Sequence, residues 1–235
     1  MALSISIIIP VYNEAARIKR SLKKIADYFQ SDDYEIIIID DGSKDETLDI
    51  VKSFNNDRIK IFRNEVNLGK GFSVKRGVLL SNKQYVLFSD ADMSTPISEF
   101  KKFKPFLKTH DIIIGSRALS GSNVKVRQPF YKVFLGRIGN MLIRLLAVKG
   151  ITDTQCGFKL FNKKTKSIFE KLTVFRWGFD FELLFLAQKN KYKIKEIPVI
   201  WINDARSKVK TSDYITTFFD LIKIRVNNLL GKYNG

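Results

Sequence analysis

The feature that most constrains the fold is a series of short apolar runs, each of which ends in polar residues and leads into a helical pattern. These runs are Ser4–Val11, Tyr34–Ile39, Ile59–Arg63 and Tyr85–Phe88. They are rich in isoleucine and valine, as buried strands are, and apolar residues at helical spacing lie between them. Strands that alternate with helices build a parallel sheet with right-handed crossovers. The sequence therefore predicts an α/β fold, a mostly parallel central sheet flanked by helices.

Three of these runs end in residues that can bind a ligand. They are Tyr12, Asn13 and Glu14 after the first run, Asp40 and Asp41 after the second, and Asp90 and Asp92 after the fourth. The carboxyl ends of parallel strands lie along one edge, where ligands bind in open α/β sheets. In extended backbone, residues two apart point to the same side. Asp90 and Asp92 are thus expected to face one divalent cation, Mg2+ or Mn2+, although an Asp-rich turn that caps a helix beginning at Pro96 is the alternative.

The second half of the chain predicts further helices and strands. The expected helices are Ser98–Leu107, Phe130–Val148, Phe179–Ala187 and Tyr214–Leu230, and the expected strands are Asp111–Gly115 and Ile194–Ile202. Ser43 and Glu46 have the spacing of a capping box for the helix that follows the second strand. We see no linker or internal repeat, so the chain is expected to be one domain over residues 1–211 with an amphipathic helix over 212–235.

Composition excludes several kinds of site. With one cysteine and one histidine, the chain can form neither an internal disulfide nor a Cys/His metal cluster, so any metal must be held by oxygen ligands. The 41 Lys and Arg residues against 24 Asp and Glu residues give a net charge of +17, which favours an anionic partner. Nucleic acid is disfavoured because the basic residues are spread over many helices and no RNA-binding motif occurs.

Nucleotide-binding motifs of other folds are also missing. No G-x-G-x-x-G follows the first strand and no G-x-x-x-x-G-K-[ST] occurs, which disfavours a dinucleotide-binding dehydrogenase and a P-loop enzyme. No signal peptide is visible and no run reaches about 18 apolar residues, so we expect a cytoplasmic protein without a transmembrane helix.

Six motifs, in order, carry a family resemblance. They are I-I-I-P-V-Y-N-E, I-I-I-D-D-G-S, N-L-G-K-G, S-D-A-D, G-S-R and D-T-Q-C-G-F-K, which lie between Ile7 and Lys159, and the resemblance as a whole spans about Ile5 to Val209. This series resembles the family 2 glycosyltransferases of GT-A fold, and within them the polyprenyl-phosphate sugar transferases. The branch that glucosylates dolichyl phosphate is the most similar, and the mannosyltransferase branch is next.

The resemblance implies roles for particular residues. The nucleotide would be held by Pro10, Tyr12, Glu14 and Asp41. The metal on the donor diphosphate would be held by Asp90 and Asp92, and Arg117 would lie near the reacting phosphate. Asp92 and Arg117 are therefore the expected catalytic residues. The basic loop that contains Arg206 and Lys208 resembles a segment that closes over the donor. Asn13 and Asp40 lie at the same predicted edge, and Lys70 lies in a glycine-punctuated loop that can either bind phosphate or simply begin a helix, so we add them to the nucleotide-sugar set.

The implied reaction is transfer of glucose from a uridine diphosphate donor to a polyprenyl phosphate, with inversion. The second pKa of a phosphate monoester is about 6, so this acceptor is ionised at neutral pH and needs no protein general base. It needs cations instead, for which Arg117, Arg127, Lys132 and Arg137 are the candidates. Asp180 and Glu182, in F-D-F-E, could contradict this expectation, although local structure is the favoured interpretation of both.

Three alternatives stay open at this point. They are a GDP-mannose donor, a glycan hydroxyl acceptor, which would make a base such as Asp180 essential, and a nucleotide-binding scaffold without catalysis. The helices Phe130–Val148 and Tyr214–Leu230 pair apolar faces with Lys and Arg, as interfacial helices do, but the same faces could pack on the sheet. We expect peripheral binding at the inner face of the membrane, through the positive charge or a membrane-anchored partner protein. Trp177 is the better of the two tryptophans for a sugar contact.

Overall fold

The computed structural model describes residues 2–124, 139, 141–202 and 211–234, and these contain nine strands and seven helices. The strands are β1 Ser4–Val11, β2 Asp33–Asp40, β3 Ile59–Arg63, β4 Tyr85–Ser89, β5 Ile112–Ser116, β6 Asn123–Val124, β7 Phe158–Asn162, β8 Ile194–Pro198 and β9 Ile200–Trp201. The helices are α1 Ala15–Phe29, α2 Thr47–Lys52, α3 Lys70–Leu80, α4 at residues 141–146, α5 Ser167–Glu170, α6 Phe179–Lys189 and α7 Thr211–Leu229.

The main sheet has the strand order β3-β2-β1-β4-β7-β5-β8, and β6 pairs with β9 in a small second sheet. All pairings in the main sheet are parallel except those of β7, which runs antiparallel to β4 and β5. Val11 pairs with Asp40, and Ile8 pairs with Phe88. The carboxyl ends of β1, β2 and β4 therefore lie along one edge, as the strand and helix order predicts.

Both faces of the central strands are buried, which explains their runs of isoleucine. Ile8 and Ile37 belong to the apolar layer under α3, whereas Ile7 and Ile36 belong to the layer under α1. Residues alternate between the two faces because the side-chain period of a strand is two. α1 closes its layer with a buried stripe of Ile18, Leu22, Ile25 and Phe29.

Two predictions for the second half are wrong, and proline explains both. In place of an α-helix over Ser98–Leu107 the structure has two 3-10 segments, Ile97–Lys102 and Lys104–Phe106. Pro105 lacks an amide hydrogen and its ring obstructs the preceding turn, so an α-helix cannot continue through it. The predicted strand Ile194–Ile202 is divided after Pro198, and its second part pairs with β6 in the small sheet.

Two further predictions fail near polar residues. The capping box is wrong, because α2 begins at Thr47 and the Ser43 hydroxyl instead accepts a hydrogen bond from the Asn13 amide at 2.9 Å. The polar composition of Thr152–Lys159 predicts a loop between apolar elements, yet Phe158 and Lys159 begin β7, the antiparallel strand. Of the predicted helix Phe130–Val148, residues 130–138 and 140 lie outside the described part, and residues 141–146 are helical.

α7 packs against α6 and the segment that precedes it. Leu221 and Ile224 are buried, and the Asn227 amide donates to the Thr173 hydroxyl at 3.0 Å. Beyond α7, the buried Tyr233 donates a hydrogen bond to Glu182 of α6. Among the described helices, none combines the length and the apolar character needed to cross a bilayer.

Candidate functional site

The two aspartates that follow β4 lie in a turn. β4 ends at Ser89, the Met93 amide donates to the Asp90 carbonyl at 3.2 Å, and the Ser94 amide donates to the Asp92 carboxylate at 2.8 Å. The extended geometry predicted for them is therefore wrong, and the turn itself brings the carboxylates together. Burial, and then the charge of Asp90, raise the pKa of Asp92 above its usual range. The repulsion between the two carboxylates is reduced when a cation binds.

Lys70, the first residue of α3, is the cation that meets this pair. Its Nζ lies 2.6 Å from Oδ1 of Asp90, and it also lies 5.3 Å from the centre of the Phe88 ring and 5.4 Å from that of Trp177. Burial acts to lower the pKa of Lys70, but the carboxylates of Asp90 and Asp180 outweigh it, and the net pKa is raised. The ammonium group is thus held in its charged form inside an aromatic and anionic enclosure.

Asp41 positions the start of α3. Its Oδ1 accepts hydrogen bonds from the side-chain amide of Asn64 at 2.7 Å and the backbone amide of Leu68 at 3.0 Å, and its Oδ2 accepts from the Gly69 amide at 2.9 Å. Gly69 has φ of +102°, and a Cβ there would collide with the Phe175 carbonyl oxygen, so this turn requires glycine. Asp41 was predicted to hold a nucleotide; the structure places its carboxylate on the loop that delivers Lys70.

The other predicted residues of this edge are largely engaged with their neighbours. Asp40 is completely buried, accepts from the Ser43 amide and lies 3.2 Å from Nε of Arg63. Glu14 is paired with Arg17, one turn along α1. Asn13 has φ of +52° and its side chain accepts from the Lys44 amide. Pro10 and Tyr12 lie half-buried at the end of β1.

Arg117 follows β5 and is held by Asp153. Its Nε and Nη2 donate to the two oxygens of that carboxylate at 2.7 and 2.8 Å, and its guanidinium lies 5.5 Å from the centre of the Trp201 ring. Glu196 of β8 accepts from the amides of Thr152 and Asp153, which fixes the loop. The Arg117 charge outweighs the effect of burial and lowers the pKa of Asp153. A phosphate near Arg117 would therefore accept from its remaining Nη1.

Gly157, in the same loop, faces Asp90. A Cβ built at Gly157 would lie 2.7 Å from Oδ1 of Asp90 and closer still to Cγ and Oδ2, so the carboxylate fills the space that a side chain would need. The Asp90 amide in turn donates to the Gly157 carbonyl at 3.1 Å. The absence of a side chain at Gly157 is what allows Asp90 to stand beside Lys70.

Asp180 and Glu182 of α6 are engaged in local structure. Asp180 is paired with Lys159, which is fully buried and also donates to the Cys156 carbonyl at 2.6 Å. Glu182 accepts from the amides of Thr173 and Val174 and from two hydroxyls. The favoured interpretation of both carboxylates as structural agrees with these contacts. Burial raises the pKa of the Cys156 thiol to about 11, so it is no reactive thiolate.

The described residues fit a divalent cation at the Asp90 and Asp92 pair. Its ligands would be the hard carboxylate oxygens of two half-buried side chains, and among the described residues no group of three or more acidic, histidine or cysteine side chains could hold a metal ion by itself. A cation here would complete its coordination with phosphate oxygens and water, as Mg2+ commonly does.

Five predicted residues lie outside the described part of the chain, namely Arg127, Lys132, Arg137, Arg206 and Lys208. Sequence reasoning missed Asp153, Gly157, Lys159 and Glu196 as residues that shape the site. Three of them lie in the motif D-T-Q-C-G-F-K, which marks the segment, whereas Glu196 gives no signal because its partners lie 43 and 44 residues away.

Comparison with known proteins gives consistent matches. The sequence profile described as "Glycosyl transferase family 2" matches residues 6–169. The dolichyl-phosphate beta-glucosyltransferase of Dictyostelium discoideum is 37% identical over 246 residues, covering 97% of this chain and 75% of that protein. The human protein of the same name is 32% identical over 249 residues, covering 97% and 77%. Glucosyl-3-phosphoglycerate synthase of Mycobacterium tuberculosis, crystallised with Mn2+, UDP-glucose and glycerol 3-phosphate, is 16% identical with a TM-score of 0.69, covering 94% and 80%.

Proposed function

Because this chain belongs to glycosyl transferase family 2, we propose that it transfers glucose from UDP-glucose to a polyprenyl phosphate of the dolichyl type, with inversion at the sugar carbon. Relatives that carry the name dolichyl-phosphate beta-glucosyltransferase are up to 38% identical over nearly the whole chain and support the choice of sugar and acceptor. The observation that carries the proposal is the Asp90 and Asp92 pair at the carboxyl edge of the sheet, beside Lys70.

The donor half of the site uses that edge. Asp90 and Asp92 would hold Mg2+ or Mn2+, which as a Lewis acid neutralises the departing diphosphate. Lys70 would bind a phosphate oxygen, and Trp177, whose ring centre lies 5.4 Å from the Lys70 ammonium group, would contact the sugar. The nucleotide would lie along Pro10, Tyr12, Asn13 and Glu14, with Asp40 and Asp41 fixing the shape of that surface, and Arg206 and Lys208 would close over it.

The acceptor half needs cations and no base. A lipid phosphate has a second pKa of about 6, so at neutral pH its oxygen attacks without giving up a proton. Asp180 and Glu182, the carboxylates that could serve a hydroxyl acceptor, are committed to Lys159 and to the segment before α6. Arg117 would direct the acceptor phosphate toward the donor together with Arg127, Lys132 and Arg137.

The membrane surface is the proposed place of reaction, and α7 supports this. Its outer face exposes a stripe of large apolar side chains, at one or two positions in each helical turn: Ile215, Phe218, Phe219, Ile222, Val226 and Leu229. Its inner face packs on α6 through Leu221 and Ile224. A helix with one face in the protein and an apolar stripe outside can lie in the interface of a bilayer. We propose that α7 is part of the catalytic unit and lies against the lipid.

Charge favours an anionic leaflet. The chain carries a net charge of +17, and each Lys or Arg near an anionic surface contributes about 1 kcal/mol. We therefore propose peripheral binding at the inner, cytoplasmic face of the membrane. Binding of the purified chain to vesicles without any other protein would show that a membrane-anchored partner is not required.

The test is transfer of labelled sugar to polyprenyl phosphate in detergent, with UDP-glucose and GDP-mannose compared in Mg2+ and in Mn2+. We expect glucose transfer in the wild type and its loss, by at least about 10²-fold, in Asp92→Asn. Transfer of mannose without transfer of glucose would show that the donor is GDP-mannose. Glucosylation of a glycan hydroxyl, with no reaction of the lipid phosphate, would show that the acceptor is a glycan.

The base-free mechanism needs a carefully chosen variant. Asp180→Asn alone would leave Lys159 buried without its counter-charge, which costs about 3–5 kcal/mol, and activity would then be lost through unfolding. Asp180→Asn combined with Lys159→Met removes both charges. We expect this double variant, once shown to be folded, to retain lipid-phosphate transfer; a loss with normal donor binding would assign Asp180 a role as base.

A further inference from the structure

We propose that Lys70 closes the metal site to free divalent cations, so that the metal is admitted only together with the nucleotide diphosphate. This inference rests on the proposed function, because it concerns the order in which metal and donor reach the same site. In addition to binding phosphate, Lys70 then acts as the counter-ion of Asp90 when no ligand is bound.

Both oxygens of Asp90 have a close neighbour in the described structure. Oδ1 carries the Lys70 ammonium at 2.6 Å, and Oδ2 packs against the Cα of Gly157, where no Cβ would fit. A divalent cation must approach a carboxylate oxygen to about 2.0–2.6 Å, within the space that the ammonium group now holds. The cation and Lys70 would also repel one another. Lys70 must therefore move before a metal can use this oxygen.

The ammonium group is held firmly where it stands. Lys70 and Asp90 expose only 21% and 31% of their side chains, so the pair is screened by water less than a surface ion pair is. The rings of Phe88 and Trp177 flank the ammonium group and add cation–π attraction. Asp180, a carboxylate that attracts Lys70 electrostatically, already has Lys159 as its partner. When a free metal ion binds, the Lys70 ammonium group gains no other anionic partner that could compensate for the loss of Asp90.

The diphosphate of the donor provides Lys70 with another anionic partner. Lys70 is the first residue of α3, at the positive end of the helix dipole, which favours a nearby anion, and the flexible stem of lysine allows its ammonium group to move without a change in the backbone. A phosphate oxygen that takes over Lys70 leaves Oδ1 of Asp90 to the metal that accompanies the donor. The coupling is reciprocal, so the nucleotide strengthens metal binding by the same factor as the metal strengthens nucleotide binding.

The experiment measures binding of Mn2+ by electron paramagnetic resonance, with and without UDP and without any sugar transfer. The proteins are the wild type, Lys70→Met, which keeps the length and removes the charge, and Lys70→Arg, which keeps the charge. Lys83→Met is the matched control, since Lys83 is paired with Asp33 at the opposite end of the sheet. Lys70→Gln serves as a second neutral variant should Lys70→Met fail to fold.

We expect Lys70→Met to bind Mn2+ alone about tenfold more tightly than the wild type, Lys70→Arg and Lys83→Met do. UDP should raise Mn2+ affinity strongly in the wild type and at least about tenfold less in Lys70→Met. Equal binding of Mn2+ alone by the wild type and both neutral variants would overturn the inference while leaving the proposed reaction intact. A wild type that binds no Mn2+ even with UDP would instead refute the metal site itself.

Discussion

Replacement of Gly157 by alanine tests the geometry of the site directly. The new methyl group would lie 2.7 Å from Oδ1 of Asp90 and closer to Cγ and Oδ2, and the nearest oxygen is about 1.5 Å inside an ordinary contact. Asp90 can yield, because 31% of its side chain is exposed. The carboxylate would therefore swing out by about this distance and take its ion pair with Lys70 apart.

The expected loss is in catalysis more than in stability. A displacement of about 1 Å in a positioned group can cost about 10²-fold in rate, so kcat/KM for glucosyl transfer should fall by about 10²-fold, or about 2.7 kcal/mol. The free energy of unfolding should fall by about 1 kcal/mol, since the clash is relieved by a partly exposed side chain. Steady-state transfer to polyprenyl phosphate and urea unfolding measure the two quantities.

Gly77→Ala is the matched control for this test. A Cβ at Gly77 would collide with the Ile8 side chain and approach Ile39 to 3.3 Å, inside the layer between α3 and the sheet. That clash has no exposed outlet, so Gly77→Ala should lose more stability than Gly157→Ala and less activity at temperatures where it stays folded. Gly157→Ala with wild-type kcat/KM would refute the argument that Gly157 positions Asp90.

Three further predictions concern groups away from the reacting atoms. Tyr233→Phe removes the hydrogen bond to Glu182 and should lower the free energy of unfolding by about 1–2 kcal/mol with kcat unchanged, so a changed kcat would contradict a structural role for Glu182. Burial raises the pKa of Asp220 to about 6, whereas its unfolded value is about 4, so the folded state loses stability as the pH rises through this interval. In urea unfolding, Asp220→Asn should be more stable than the wild type by about 1 kcal/mol at pH 7 and by less at pH 5. An equal stability difference at the two pH values would refute this prediction. Phe219 is 63% exposed, and Phe219→Glu should lower the affinity for anionic vesicles, measured by co-sedimentation, at least about tenfold without loss of stability. Ser53→Glu, at an exposed position directly after α2, should leave this affinity unchanged.

The GT-A fold was largely predictable from the first half of the chain. β1, β2 and β4 are mainly runs of isoleucine, valine and aromatic residues, and parallel strands buried on both faces require such runs, so pattern and topology agree. β3, at the edge of the sheet, is less buried and includes Lys60 and Arg63. The likeness to the mycobacterial synthase confirms the fold. β7 escaped prediction because its direction depends on pairing with β4 and β5, two strands separated from it by long stretches of chain. A polar motif gives no information about such distant pairing.

The candidate site was predictable in its location and less so in its contacts. The residues at the ends of β1, β2 and β4 were expected along one edge, and they lie there. Their individual partners were not predictable, because Asp41 bonds to a loop 27 and 28 residues away and Arg117 to a carboxylate 36 residues away. Polar residue types indicate chemistry, but the choice between a ligand and a neighbour is made by the fold.

The contacts along this edge form a chain of dependence that leads to one carboxylate. Asp41 fixes Gly69, Gly69 directly precedes the helix that begins with Lys70, Lys70 holds Asp90, and Asp90 occupies the space left by Gly157. Each link joins a different strand end or loop, so the position of Asp90 depends on three separate parts of the sheet. A carboxylate held in this way keeps its place before any ligand arrives, and the reorganisation needed at the moment of binding falls to a single flexible side chain, that of Lys70.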